Sequence, residues 1–158
     1  HGRGASLESA KLPKANLKRA FLPEAKLRGV DLEDADLEGA NLDGADLTKS
    51  RAARARFVGA KLVGVRLDDA EWPHACLERA KLDEAFLLRA ALMHAKLDHA
   101  NLLNADLREA GLRGASLRGA TCDGARMERA DLRGADLVGA GIAPDVLAKA
   151  RSTGAKRG

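Results

Sequence analysis

The sequence predicts an all-β solenoid, a chain wound into stacked coils with alanine and leucine inside. Two observations predict it. From position 5 to 140 every fifth residue is Ala in 25 of 28 places, the exceptions being Val30, Ser50 and Val65. Two places later, from 7 to 142, the residue is Leu in 22 of 28, the exceptions being Ala52, Phe57, Trp72, Cys122, Met127 and Ile142. A fixed period with no insertion is the mark of a repeat architecture. Period five is not helical, because each unit would advance about 140° on a wheel of ~100° per residue and smear the apolar residues around it. Nor is it a plain strand, since five is odd and strict alternation would flip faces at every unit.

Within a unit, Ala-x-Leu does alternate, so both side chains point the same way. The next two residues must turn the chain so that the following Ala faces inward again. Ten units end in Gly, among them Gly29, Gly39 and Gly114, and Gly eases a tight turn. A chain that turns the same way at each unit closes into a coil, and coils stack by backbone hydrogen bonding at about 4.8 Å.

The units Ala35-Asp-Leu-Glu-Gly39, Ala40-Asn-Leu-Asp-Gly44 and Ala135-Asp-Leu-Val-Gly139 resemble pentapeptide repeat proteins, whose consensus is A(D/N)LXX. The resemblance covers residues 5 to 144. It implies a right-handed quadrilateral β-helix with four units, or 20 residues, per coil. The 28 units then make about seven coils.

The charges agree with a 20-residue register. Lys11, Asp31, Arg51 and Glu71 alternate in sign at 20-residue steps, as do Lys14, Asp34 and Arg54, then Lys26, Asp46 and Arg66, then Arg89, Glu109 and Arg129. Opposite stacked neighbours help by a few tenths to about 1 kcal/mol each. The core offers one irregularity in the same register. The unit from Ser50 to Arg54 carries Ala52 where Leu is expected, and Trp72 lies 20 residues on. Trp72 is expected to lean into the space left by Ala52.

After Ala140-Gly-Ile-Ala-Pro144 the pattern breaks. Pro144 to Arg151 reads as a short helix start, with Val146, Leu147 and Ala150 covering the last coil, as a solenoid end requires. The expected division is therefore a repeat solenoid over 5–144, then a cap helix and loose basic tail over 145–158. At the other end the repeats begin at Ala5 with no cap, and an open coil edge invites pairing. A preceding domain or an end-to-end homodimer would cover it.

Composition excludes several function classes. Three Phe, one Trp and no Tyr cannot supply the stacking platforms of single-strand nucleic-acid binders or an aromatic-lined pocket. The longest apolar runs are four residues, so no span is predicted. Two Cys make no disulfide framework and fit a reducing, cytoplasmic compartment. No catalytic motif appears, and no cofactor is expected. His74 and His94 are 20 residues apart, with Cys76 around the corner and His99 nearby. Two imidazoles and a thiol form a candidate Zn²⁺ set that lacks a fourth ligand, and exposed turn residues are the simpler reading. Cys122 occupies an inward place and reads as core, on a different face from Cys76. Outward apolar residues gather in the fifth coil, namely Phe86, Leu88, Met93 and Leu103, a candidate protein-docking patch.

The leading expectation is a non-catalytic protein-interaction scaffold with an unidentified protein partner, a module of a larger bacterial protein. The resemblance also implies an alternative. Some pentapeptide repeat proteins imitate DNA, bind DNA gyrase or topoisomerase IV and protect against antibiotics. Those rods are strongly acidic and dimerise through their C-terminal ends. Here Lys plus Arg exceeds Asp plus Glu by 27 to 23, and the acidic stretch from Asp31 to Asp46 is matched one coil away by Arg51, Arg54, Arg56 and Arg66. The basic C-terminal third (Arg108, Arg113, Arg118, Arg126, Arg129, Arg133) is diluted by carboxylates, and direct nucleic-acid binding is not the expected role.

Overall fold

The structure, a computed structural model, describes residues 2–157. Parallel bridges join residues 20 apart in sequence along the rod, from Ser6↔Lys26 to Asp136↔Lys156. Each 20-residue step is called a coil below, coil 1 being residues 5–24 and coil 5 residues 85–104. A turn every five residues divides each coil into four sides. Side A begins at residues 5, 25 and 45, side B at 10 and 30, side C at 15 and 35, and side D at 20 and 40. The bridges are isolated ones, so the expected all-β character takes the form of single-residue rungs, because a turn interrupts every five residues.

The hydrogen-bond pattern explains the repeat. With Ala as position 1 and Leu as position 3, the position-2 N–H donates back to the previous coil, as Lys26 does to Ala5 O at 2.8 Å. The position-3 and position-5 N–H groups donate forward, as Leu7 does to Lys26 O at 2.8 Å and Ser9 to Arg28 O at 2.9 Å. The position-1 N–H closes the turn, as Ala10 does on Leu7 O at 3.1 Å. Position 4 donates to no backbone carbonyl in any repeat among the described residues. Asp or Asn at position 2 takes that donor: Asp31 Oδ1 accepts from Glu33 N–H at 3.1 Å and Asn41 Oδ1 from Asp43 N–H at 3.0 Å. This is the local Asx bond that stabilises turns.

Position 5 has a positive φ throughout the repeats, with Gly (Gly29, +65°) and without it (Glu84, +57°; Arg79, +58°). A positive φ at the third turn residue only is the type II turn. Glycine there is a convenience rather than a requirement, because the ladder on either side holds the other residues in the left-handed region. The same geometry locates the end of the repeat. Pro144 falls at position 5, and its ring fixes φ near −65°. The turn cannot form, and the helix α1, Pro144–Ala148, starts there.

Alanine and leucine columns fill the interior, with most from Ala25 to Leu137 at 5% exposure or less. Val146, Leu147 and Ala150 pack partly buried against this core. Beyond α1 the expected loose tail is instead ordered. Arg151 bridges Asp131 and Lys156 bridges Asp136, Leu132 N–H donates to Arg151 O at 2.7 Å, and Gly154 repeats the positive φ at +72°. The ladder resumes because α1 occupies five residues and leaves Ala150 and Ala155 in frame. Gly158 lies outside the described residues. At the opposite end the ladder runs back to Gly2, whose N–H donates to Phe21 O at 2.9 Å, while Ala5, Leu7 and Leu12 are only partly buried.

Trp72 is 1% exposed and Ala52 fully buried. Ala52 N–H donates to Glu71 O at 2.9 Å, which sets it one coil below Trp72. Two contacts were not foreseen. The indole stacks on Phe57 with ring centroids 4.3 Å apart and planes 7° from parallel. Its N–H donates to Ser50 Oγ at 2.9 Å, wholly inside the core. The Ser50 exception in the alanine column is therefore the acceptor that a buried indole needs.

Candidate protein-binding surface

Outward positions are mostly charged, and several of the charges are paired. Arg54 bonds both Asp34, at 2.7 Å, and Glu33, at 2.7 Å. Arg51 reaches Asp31 at 3.5 Å, Arg56 reaches Glu38 at 3.2 Å, and Lys18 lies 3.3 Å from both Asp36 and Glu38. The acidic coil 2 is thus neutralised by its neighbours. In the C-terminal third Arg108 pairs with Asp106, Arg118 with Asp136 and Arg133 with Asp131. Hydrogen bonds from guanidinium groups hold carboxyls down: Arg3 on Glu24, Arg54 on Asp34, Arg89 on Asp69, and Arg133 on Asp131, the last to about 2. Lowered folded values stabilise the rod above the unfolded carboxylate range near 4, and that contribution is lost as pH falls through the folded values. Melting temperatures are therefore expected to hold from pH 7 to about 5 and to decline between about pH 4 and 2. A flat profile down to pH 2, followed by circular dichroism, would remove these pairs from the stability of the fold.

His74 and His94 are neighbours, their rings stacked at 5.2 Å and 14°. His94 leans over the next coil, so that a Cβ on Gly114 would meet its Nδ1 at 2.5 Å. Cys76 is half-buried on side C, bridged to Arg56 and Lys96. Among the described residues no group of three or more His, Cys, Asp or Glu is placed to hold a metal ion. Cys122 is buried, and that burial pushes its thiol up to about 12.

The docking candidates divide among sides. Phe86, 49% exposed, and half-buried Leu88 share side A. Met93, 41% exposed, is on side B, and Leu103, 38%, is on side D. The structure therefore gives a belt around coil 5 rather than one patch. Sequence reading missed Phe21 and Val63, which are also exposed. Val63 and Leu103 both occupy position 4 of side D, a coincidence readable once the sides are assigned. A hollow lined by Leu137, Ile142, Leu147 and Arg157 lies at the C-terminal end. Among the described residues no helix is long and apolar enough to cross a membrane.

The chain is similar to HetL, a pentapeptide repeat protein involved in heterocyst differentiation regulation in the cyanobacterium Nostoc sp. strain PCC 7120, at 31% identity over 98% of this chain and 79% of that one, with a TM-score of 0.66. Two trypsin-treated forms of QnrB1, a plasmid-mediated fluoroquinolone resistance protein, share the fold at 16% identity, covering 99% of this chain and 83% and 85% of theirs, with TM-scores of 0.55 and 0.50. A comparison with curated proteins gave no match. The family model for pentapeptide repeats matches residues 3–39, 25–69, 75–114 and 110–140, in 8 copies. On that match, together with the five-residue turn ladder, the chain belongs to the pentapeptide repeat family.

Proposed function

We propose that the rod is a non-catalytic protein-interaction scaffold, working as a module of a larger bacterial protein in the cytoplasm. Its coils form a right-handed quadrilateral stack of about seven turns. The observation that carries this reading is the belt around coil 5. Exposed Phe86, Met93 and Leu103 stand on a rod whose other outward positions hold mostly charged and polar side chains. Apolar groups rimmed by charge are the anatomy of a protein contact. The likeness to HetL, a protein involved in regulation, supports the same class of role.

The second reading is imitation of DNA toward gyrase or topoisomerase IV. Its support is the fold shared with QnrB1. The charge distribution opposes it, since Arg51, Arg54 and Arg56 neutralise the acidic coil 2, whereas duplex DNA is an unbroken line of negative charge.

Affinity capture with the whole chain as bait, compared with a Met93→Glu, Leu103→Glu variant, tests the reading. A binding protein retained by the unaltered rod and lost with the variant is the expected result. Recovery of gyrase subunits, with inhibition of supercoiling by the purified rod, would establish the second reading instead.

A further inference from the structure

Around the Phe86 of that belt, side A carries a charge arrangement that the scaffold reading does not use. Its outward positions 2 and 4 have opposite signs on three coils: Arg66 and Asp68 in coil 4, Asp106 and Arg108 in coil 6, Arg126 and Glu128 in coil 7. Coil 5, between them, presents Phe86 and Leu88 at the same two positions. Bridges Arg66↔Phe86, Phe86↔Asp106 and Asp106↔Arg126 set these residues in one column. Phe86 is the most exposed large apolar side chain among the described residues, at 49%.

A two-fold axis parallel to the rod would bring position 2 of each coil opposite position 4 of the same coil in a second copy. Every one of these coils is complementary to itself under that operation. Arg66 meets Asp68 and Asp106 meets Arg108, pairs that each chain also makes within itself, Arg126 meets Glu128, and the tall Phe86 meets the lower Leu88, each contact being made twice. We infer that side A is a homodimer interface in which two parallel rods pack through coils 4 to 7 with Phe86 and Leu88 at its centre.

One feature of the single chain fits a second copy. Burial, with Asp69 and Asp106 nearby, pushes the Asp68 carboxyl up although Arg66 of the same chain lies 3.8 Å away, and Arg66 of the second copy would add a further positive charge. An antiparallel pair centred on Phe86 matches positions 2 and 4 as well, but at the corner it sets Lys49 against Arg129 and Asp69 against Glu109. Coils 4 to 7 span roughly 19 Å at about 4.8 Å each, so the buried area falls at or below the low end of specific interfaces, about 1,200 Å² in total. The dimer is therefore weak, and salt weakens it further.

Sedimentation equilibrium of the whole chain, from about 10 µM to 1 mM at low salt, is the test in the range where such interfaces associate. The weight-average mass is expected to rise from 16.7 kDa toward twice that value. Phe86→Glu should hold it at the monomer mass with an unchanged melting temperature, because Phe86 lies outside the core. Arg108→Asp should weaken association at least tenfold. The double change Asp106→Arg, Arg108→Asp should restore it, because the coil is then complementary to itself with reversed polarity. In an antiparallel pair the double change would set the new positive charge of coil 6 against Arg66, so failure to restore overturns the parallel interface. A chain that stays monomeric throughout, or a dimer indifferent to all three variants, overturns the inference, the latter result assigning association to a rod end.

Discussion

Trp72→Ala is expected to lower the melting temperature by about 10 °C or more. Removing a fully buried Trp costs about 3–5 kcal/mol, and each kcal/mol moves a domain of this size by about 2–4 °C. Three losses coincide at this site. The indole area goes, Phe57 loses the ring stacked on it at 4.3 Å, and Ser50 Oγ loses its donor inside the core. A solenoid has no second core to share the damage, since each coil touches only its neighbours. Companion variants separate the causes. Trp72→Phe keeps a ring on Phe57 but leaves the Ser50 hydroxyl without its partner. Ser50→Ala strands the indole N–H, at a cost of about 1–3 kcal/mol. Combining the two should cost less than the sum of the single changes, because neither polar group then remains. Thermal melts read all four proteins. A Trp72→Ala protein melting within about 2 °C of the unaltered one would mean that the core closes over the site without strain.

That site marks the limit of what the sequence discloses. The alanine and leucine columns are legible because their period is strict, and the 20-residue register is legible because charges alternate at that spacing. Ser50 and Trp72 both stand out as exceptions. Their bond joins residues 22 apart, an offset that no column reading examines, and Phe57 enters from the neighbouring side C. The C-terminal tail was hidden for a different reason. Pro144 ends the repeat, and five helical residues interrupt the visible pattern while preserving its count. Ala150, Gly154 and Ala155 were the surviving signal. The docking belt was legible as a list of outward apolar residues. Its division among three sides was not, because sides matter only once four turns per coil are fixed.

The side-chain pairing shows which charges remain open to a partner. Arg54, Arg56 and Lys18 are engaged by coil 2, so alternation along a column consumes charge that a partner would otherwise meet. Glu71, Arg113 and Arg129 form no ion pair among the described residues and stay open. A protein surface of this kind selects partners by pattern rather than by net charge, because interleaved signs cancel beyond a Debye length of about 8–10 Å.

The turn itself yields a contrast between adjacent residues. Glu78→Pro is expected to be tolerated, and Arg79→Pro to disrupt the rod. Glu78 occupies position 4, the second residue of the type II turn, where Pro is favoured. Its N–H has no backbone acceptor among the described residues. Pro13, Pro23 and Pro73 already sit at this position, and Trp72 before Pro73 shows that the Leu place accepts the extended backbone that precedes proline. Proline at 78 also narrows the unfolded ensemble, and a gain of about 0.4–1 kcal/mol is the usual result at a compatible site. Arg79, one residue on, has φ +58°, which a ring fixed near −65° cannot adopt. Its N–H donates to Asp98 O at 3.0 Å, a rung that proline deletes. Both losses fall on the same turn, and a cost of about 3 kcal/mol or more follows, enough to lower the melting temperature by roughly 6–12 °C. Arg79→Gly serves as the control, since it removes the side chain while keeping both the turn and the rung. If Arg79→Pro melted like Arg79→Gly, the position-5 turn would not be what holds the coil closed. The single natural proline at that position, Pro144, is where the rod abandons its turn for a helix.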